Sequence, residues 1–598
     1  MNNLKNNFIR DNWEFSLFAA ILTAKQYIFY VLINFSPFTF PPKTHLVTIP
    51  AVTFLILSFS FLFKRKTSRI KYILVFDLFL SLVLLVNTWY FRYFSGAATF
   101  FFFYQIQDLV AIKEGFLKNI NLSDIIYFIA DFPVFIFLLK NREQDIPEVN
   151  IKYFRICFSI GLLLFIIKPV RKYFANEEYI TYSDPLNNIV ALTPALYQVY
   201  DLADYFYQHN PVKLSRNDTE TINAELAEFA GENQNENDIS TVYKNAGKGF
   251  NLIIIQAESL ENSVINKKYG KKEITPCINN LIRKSAYFPN CFSQISSGNT
   301  SDAEFIINTS LYPLFKGCVT YRFPLNKYAS LPYLLKKNGY STLVIHGNRG
   351  SFWNRHLVFP SLFFDKFYSV KELKPGENIG LGLSDKDMFN QAIQLLSKQQ
   401  KPFFAYIITL TSHFPFTVPE KYREFKQPDN KNSMLTDYLN LIHYTDKNIG
   451  LFLNYLKSCN LANNTIIVLV GDHDAFEGHY LQNAITENPS WECNRFRNVP
   501  LLIYMPQLPG NKIPAYGGQI DILPTLAYIM GIDRKYYGKN YLGKNLFTAK
   551  NNIVLLPAKN GIVLPENTPG YEKEKLLKNW KLSDLILRSN YFADNLNP

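Results

Sequence analysis

Hydrophobic positions in this chain follow two regimes. From Trp13 to about Lys168 they run nearly unbroken, in stretches at roughly 14–36, 45–63, 72–92, 121–139 and 154–170. Each is near the ~20 apolar residues that a bilayer crossing requires. From about 248 to 550, short buried-strand runs alternate instead with helical patterns, the signature of an α/β domain with a largely parallel sheet. Residues 171–247 connect the two, with an amphipathic helical part expected to lie near the membrane and an exposed polar part around Glu232-Asn233-Gln234-Asn235. The expected architecture is a multi-pass α-helical membrane domain (1–170), a juxtamembrane helix and linker (171–247), the α/β domain (248–550) and a charged tail (551–598) without a functional reading.

Charge orients the apolar stretches. The loop Lys64-Arg65-Lys66-Thr67-Ser68-Arg69-Ile70-Lys71 is short and basic, which places it in the cytoplasm, and Lys140, Arg142, Lys152 and Arg155 put the Lys140–Arg155 loop on the same side. Five crossings from a cytoplasmic N-terminus leave everything after the fifth outside. The first stretch has no small-residue cleavage site after it and reads as an anchor. Lys25 in the first stretch and Asp77 in the third are the two polar blemishes.

In the α/β region, what matters is how the strand runs end. Phe250–Ala257 stops at Glu258, Thr342–Ile345 at His346, Phe403–Leu410 runs into Thr411-Ser412-His413, and Ile466–Gly471 stops at Asp472-His473-Asp474. Ligands of open α/β sheets bind at the carboxyl ends of the strands. After the aromatic, turn-prone run Tyr287-Phe288-Pro289-Asn290 comes Ser296-Ser297-Gly298-Asn299-Thr300-Ser301-Asp302-Ala303-Glu304, where Ser301 and Glu304 have capping-box spacing and predict a helix start. That puts the Thr300 hydroxyl at a helix N-terminus, where free N–H groups and the dipole favour phosphate or sulfate. Such a hydroxyl is a weak nucleophile until a metal or base activates it.

Singly, each feature has an ordinary structural reading: a capped loop at Thr300, a turn at Asp472-His473, hydrogen-bonded core histidines at His346 and His413, a helix-capping Glu258. Together they make a site. Glu258, Asp472, the Thr300 oxygen and His473 form an N/O ligand set suited to Mn²⁺, Mg²⁺ or Zn²⁺, without the thiolates of a structural zinc centre. Such a metal would lower the pKa of the Thr300 hydroxyl and polarise a phosphoryl oxygen.

Composition narrows the partners. The net charge of +13 comes with no concentrated basic patch on a nucleic-acid module, so membrane flanks and an anionic lipid surface account for it. Cys277, Cys291, Cys318, Cys459 and Cys493 lie in the outer region, where pairing is chemically open, and the odd number leaves at least one unpaired. None sits at the nucleophile position, which disfavours a formylglycine-type sulfatase.

The motifs Ala257-Glu258-Ser259, Gly298-Asn299-Thr300-Ser301-Asp302-Ala303-Glu304-Phe305, Leu311-Tyr312-Pro313, His346-Gly347-Asn348, Ser351-Phe352-Trp353-Asn354-Arg355, Leu410–Phe416 and Gly471-Asp472-His473 resemble the lipoteichoic acid synthase family, as does a Phe91–Ser95 loop in the anchor. This is the membrane-anchored phosphoglycerol transferase branch of the alkaline phosphatase/sulfatase superfamily. The resemblance implies a sulfatase-like fold, one Mn²⁺-like ion on Glu258, Thr300, Asp472 and His473, and Thr300 as nucleophile. It further implies a glycerol-phosphate subsite of Trp353, Arg355, His413 and His346. Core packing is the alternative for Trp353. The implied donor is phosphatidylglycerol and the implied acceptor an envelope glycan or glycolipid, at the cell membrane with the catalytic domain outside. The rival readings are a phosphoethanolamine transferase, phosphodiesterase or sulfuric ester hydrolase of the same superfamily, or a non-catalytic membrane protein on the same scaffold. Asp474-Ala475 departs from the family pattern, in which an aromatic and a glycine often follow Asp-His. It is expected to bring another carboxylate near the metal, with His479 just beyond.

Overall fold

The computed structural model describes residues 12–33, 45–94, 98–100, 120–129, 131, 150–175, 193–209, 211–232, 241–315, 317–426, 433–476, 497–538, 540–549, 553–557, 561–563, 570–593 and 596. The chain divides into an N-terminal helical unit ending at Gln208 and a second unit built from His209 onward.

The N-terminal unit contains α1 (Trp13–Leu32), α2 (His45–Ser58), α3 (Lys66–Phe94), α4 (Ile151–Ala175) and α5 (Pro194–His209). Among the described residues, two of the five expected crossings are helices long and apolar enough to span a bilayer, α1 and α3 over Lys66–Arg92. The second stretch forms a shorter apolar helix, Val47–Leu62, and the fifth lies on α4. Within 121–139, residues 130 and 132–139 lie outside the described residues. The Phe91–Phe94 segment, expected as a loop, is the last turn of α3. Gly161 lets α4 close on α2, since a Cβ there would stand 2.9 Å from the Leu55 backbone nitrogen. Small residues serve apolar helix pairs in this way.

The two blemishes in the apolar pattern resolve each other. Lys25 Nζ donates to Asp77 Oδ1 at 2.8 Å and to Ser81 Oγ at 2.8 Å, and also pairs with Asp131. The Lys25 and Asp77 side chains are 3% and 2% exposed. Breaking such a pair from one side strands a buried charge at a cost of about 3–5 kcal/mol. Lys25→Met, which strands the carboxylates of both Asp77 and Asp131, is therefore expected to lower the thermal midpoint of the detergent-solubilised protein clearly, and Asp77→Leu added to it to recover part of the loss.

The second unit carries a nine-stranded mixed sheet. Its strands are β1 (Asn251–Ala257), β2 (Ser285–Phe292), β3 (Ser341–His346), β4 (Lys366–Tyr368), β5 (Phe403–Ile408), β6 (Thr465–Gly471), β7 (Asn498–Tyr504), β8 (Asn511–Lys512) and β9 (Tyr516–Gly518). The order is β8-β2-β7-β6-β1-β5-β3-β4, with β9 also on β2. The run β6-β1-β5-β3-β4 is parallel, while β7 is antiparallel to both β6 and β2. The Tyr287–Asn290 run, expected as a turn, lies inside β2. The register against β7 shifts between Val499 and Leu501, at the level of Pro289, which has no N–H for the ladder.

Central β1 is buried throughout, as the middle strand of a parallel sheet covered on both faces must be. Leu252 and Ile254 join one core with Phe305, Leu334, Leu526 and Trp580; Ile253, Ile255 and Ala257 join the other with Ile278, Met388 and Leu439. The helices on the first side are α6 (Arg216–Glu232), α8 (Thr300–Thr309), α9 (Leu331–Lys337), α13 (Ile522–Met530) and α14 (Gly570–Ser589). On the second side lie α7 (Pro276–Ile282), α11 (Asp385–Leu396) and α12 (Met434–Ser458); α10 (Arg355–Ser361) follows the Trp353 turn. The connector and the tail both contribute to the first core, through Ile222 and Leu226 of α6 and through Trp580, whose Nε1 donates to the Pro313 carbonyl at 2.8 Å.

Candidate active site

The loops after β1 and β6 meet at the carboxyl edge of the sheet because those strands are neighbours in register, with Ala257 opposite Gly471. Ser259 takes a left-handed conformation (φ 54°), which turns its N–H onto Asp472 Oδ1 at 2.7 Å. The backbone N–H of His473 donates to the same oxygen at 2.7 Å. Asp472 Oδ2 is left buried without a hydrogen-bond partner.

The helix predicted at Thr300 begins there, but not through a capping box. Asn299 stands at the N-cap with φ 42° and makes no side-chain cap bond, while Ser301 Oγ donates back to the Gly298 carbonyl at 2.8 Å. Asp302 fixes the loop, its Oδ2 accepting from the N–H groups of Ser296 at 2.9 Å and Gly298 at 2.8 Å. Burial pushes this carboxyl up to about 6. Residue 298 must be glycine, since a Cβ would lie 2.2 Å from Asp302 Oδ1.

Thr300 Oγ1 donates to Glu258 Oε2 at 3.2 Å and stands 3.3 Å from His473 Nε2. His473 Nδ1 lies 2.9 Å from the Asp474 carbonyl, and donation there leaves Nε2 facing Glu258 and Asp472 at 3.3 and 3.5 Å, where it carries a proton that a bound cation would replace. Glu258, Asp472 and His473 each offer a ligand atom within 4.8 Å of the others, a group able to hold a metal ion. Electrostatics point the same way. Burial opposes ionisation of Glu258, yet the imidazoles of His413 and His473 outweigh it and hold that carboxyl well below its usual range. Burial, reinforced by the charge of Glu258, raises Asp472. Burial opposes protonation of His473, and the two carboxylates overcome it, lifting the imidazole to about 10. Two buried carboxylates and a half-buried imidazole that attract positive charge, with one carboxylate oxygen unpartnered, fit a divalent cation.

The expected substrate-side residues gather differently. Arg355 is 2% exposed, and its fork faces a carboxylate of the protein: Nε donates to Glu304 Oε1 at 3.0 Å and Nη2 to the same oxygen at 2.6 Å. Only Nη1 remains, buried and without a partner. His346 Nδ1 lies 3.0 Å from the Ile408 carbonyl, while its buried Nε2 has no partner. Burial and then the charge of Arg355 hold this imidazole well below its usual pKa. Trp353, at φ 57°, is half-buried against Tyr321, with ring centroids 5.3 Å apart, and so is not a core residue. His413 is half-buried and bonded through Nδ1 to the Phe414 carbonyl.

Asp474 does not join the cluster. Its Oδ2 lies 3.6 Å from Arg497 Nε, because that guanidinium supplies the counter-charge its burial demands. His479 and Cys493 lie outside the described residues, and Cys277, Cys291, Cys318 and Cys459 are free thiols. Asp521 stands at the N-cap of α13 without a side-chain cap bond to it; its Oδ2 accepts from the Gly518 N–H at 2.9 Å, which closes the short turn before that helix.

Supporting residues escaped the sequence reading. Gln519 Nε2 donates to the Gly471 and Asp472 carbonyls at 3.1 and 2.7 Å, and its Oε1 accepts from the Gln294 N–H at 3.1 Å. Gln256 Nε2 donates to the Thr300 carbonyl at 3.2 Å while its Oε1 accepts from Tyr406. Asp385 takes the Leu410 and Thr411 N–H groups at 2.8 and 3.2 Å and so shapes the His413 loop. A glutamine in the otherwise apolar run Ile253–Ala257 was a readable signal; Gln519 and Asp385 read as turn and helix-start residues. Because Gln519 holds the loop that carries two of the proposed ligands, Gln519→Leu is expected to weaken Mn²⁺ binding by about 10–100-fold in calorimetric titration.

Comparison with known proteins gives the same assignment at both ends of the chain. Residues 1–213 match the family model for the lipoteichoic acid synthase N-terminal domain, and residues 250–532 match that for Sulfatase. Lipoteichoic acid synthase 2 of Bacillus subtilis is 30% identical over 574 residues, covering 94% of this chain and 86% of the relative. Lipoteichoic acid synthase of Staphylococcus aureus is 28% identical over 577 residues, covering 90% of this chain and 87% of its own. The crystal structure of the lipoteichoic acid synthase LtaP from Listeria monocytogenes superposes with a TM-score of 0.54 at 28% identity, covering 62% of this chain and 98% of that one. A relative of that identity, matched over most of both chains, is decisive: the chain belongs to the lipoteichoic acid synthase family, transferases built on the sulfatase-like fold.

Proposed function

We propose that this protein transfers glycerol phosphate from phosphatidylglycerol to a hydroxyl of an envelope glycan or glycolipid, through a covalent intermediate on Thr300. The observation that carries this reading is the Thr300 hydroxyl at a helix start, 3.2 Å from Glu258 and 3.3 Å from His473. Glu258, Asp472, His473 and the Thr300 oxygen would hold one divalent ion, with Mn²⁺ the proposed occupant over Mg²⁺ or Zn²⁺. Bound there, it supplies charge that lowers the pKa of the hydroxyl and polarises a phosphoryl oxygen.

The residues divide the work. In the first half-reaction Thr300 Oγ, its proton released to solvent, forms a bond to phosphorus as the phosphorus–oxygen bond to diacylglycerol breaks, and the departing oxygen takes a proton from His413. In the second half-reaction the acceptor hydroxyl gives its proton to His413 as its oxygen bonds phosphorus, the phosphorus–Thr300 bond breaks, and Thr300 regains a proton from solvent. Arg355 Nη1 binds the phosphoryl oxygens, and Trp353 and His346 enclose the glycerol. A multi-pass anchor with the catalytic domain outside the cell keeps the site near its lipid donor, raising effective concentration. The relatives named as lipoteichoic acid synthases support the substrate class.

The test is donor choice. The full chain in detergent with Mn²⁺ is expected to release diacylglycerol from phosphatidylglycerol and not from phosphatidylethanolamine. Release from phosphatidylethanolamine alone would overturn the donor and favour a phosphoethanolamine transferase.

A further inference from the structure

A second acidic residue on the nucleophile helix has a role of its own. Thr300 is the first residue of α8 and Glu304 lies four positions on, so both project from one face of one rigid element, about one turn apart. Glu304 is 2% exposed and Arg355 2%, and the pair is closed by contacts of 3.0, 3.2 and 2.6 Å. Arg355 itself begins α10 after two left-handed residues, Trp353 at φ 57° and Asn354 at φ 49°, so the backbone before it is a turn rather than a regular element. Its aim therefore comes from the carboxylate it grips. With Nε and Nη2 taken by Glu304, the one part of the fork that meets no protein acceptor is Nη1.

We propose that Glu304 is a positioning residue for the transfer, acting through Arg355 in two ways. It points Nη1 at the phosphoryl group from the same helix that presents the Thr300 oxygen, so the nucleophile and the phosphate clamp keep a fixed spacing. It also neutralises the guanidinium, leaving the pair with directed N–H groups but no net charge. A free buried guanidinium would hold the phosphate anion tightly before reaction, and uniform tightening of that kind does not speed chemistry. This rests on the reading of Arg355 as the phosphate-binding group. A structural ion pair that merely ties α8 to α10 is the competing account, and kinetics separate the two.

The experiment compares Glu304→Gln with wild type in the full-length, Mn²⁺-loaded protein. The amide removes the counter-charge and sets an NH₂ against the guanidinium, with nearly unchanged volume. We expect kcat for glycerol phosphate transfer to fall at least tenfold while the donor KM, and the Kd for sn-glycerol-1-phosphate in calorimetry, fall at least threefold. On an Arg355→Lys background, Glu304→Gln is expected to change kcat less than threefold. An unchanged kcat, weaker binding together with slower turnover, or a loss fully additive with Arg355→Lys would overturn the proposal. A wild type that turns over no phosphatidylglycerol would refute the donor instead; inorganic phosphate affinity, expected to rise in Glu304→Gln, then decides the role of the pair alone.

Discussion

Thr300→Ala is expected to lower transfer by at least ~10³-fold and leave the fold intact, as loss of the nucleophile does where catalysis is covalent. The helix start does not depend on the hydroxyl. The Thr300 carbonyl is held by Gln256 Nε2 at 3.2 Å, Asp302 fixes the preceding loop, and alanine is a favourable helix residue. What disappears is the oxygen facing Glu258 and His473. Thr300→Ser is the informative companion: it restores the oxygen without the β-branch that restricts χ1, and it is expected to recover part of the rate. Initial rates of diacylglycerol release, with circular dichroism as a fold control, check both.

Asp472→Asn should have the second largest effect. Its Oδ1 is committed to the N–H groups of Ser259 and His473 at 2.7 Å each, and asparagine keeps that oxygen and its shape. The change falls on Oδ2, the buried oxygen without a partner, which becomes an NH₂ that cannot ligate a cation. Mn²⁺ affinity is expected to drop by more than about 100-fold, beyond the range for supporting residues, and activity with it. Thermal unfolding gives an independent readout. Metal at 100 times its Kd stabilises the wild type by about 2.7 kcal/mol, and Asp472→Asn should gain almost nothing at that concentration. Without metal the variant should be at least as stable as wild type, because burial and the charge of Glu258 already penalise the Asp472 carboxylate. A variant that still binds metal and remains active would remove Asp472 from the site.

Most of the α/β fold was legible because buried parallel strands read as uninterrupted apolar runs. The runs before Glu258, His346, Thr411 and Asp472 became β1, β3, β5 and β6, and their carboxyl ends bring those candidate residues to one edge. Pro289 misled, since a proline beside asparagine signals a turn, whereas here it sits where the β2–β7 ladder shifts register. That the candidate residues lie near one another at one sheet edge was legible, and their pairings were less so. Ser301 and Glu304 have the right spacing for a capping box, but a long-range contact took Glu304: Arg355, buried 51 positions away, needs a counter-ion more than the N-cap needs a side chain. Asp474 met the same fate with Arg497. In the membrane region, apolar composition marks candidate spans without fixing helix length, and among the described residues two helices, α1 and α3, are long enough to cross. The two charged exceptions there, Lys25 and Asp77, were complements across helices.

The central claim is the covalent bond to Thr300, and mass spectrometry of the trapped enzyme tests it most directly. The full chain is mixed with Mn²⁺ and phosphatidylglycerol carrying a labelled headgroup, without acceptor, quenched in acid and digested. The account predicts a glycerophosphoryl adduct on the peptide containing Thr300, absent from Thr300→Ala and discharged when acceptor is added before the quench. Release of diacylglycerol with no adduct at any time point, or an adduct on Ser301 instead, would contradict it.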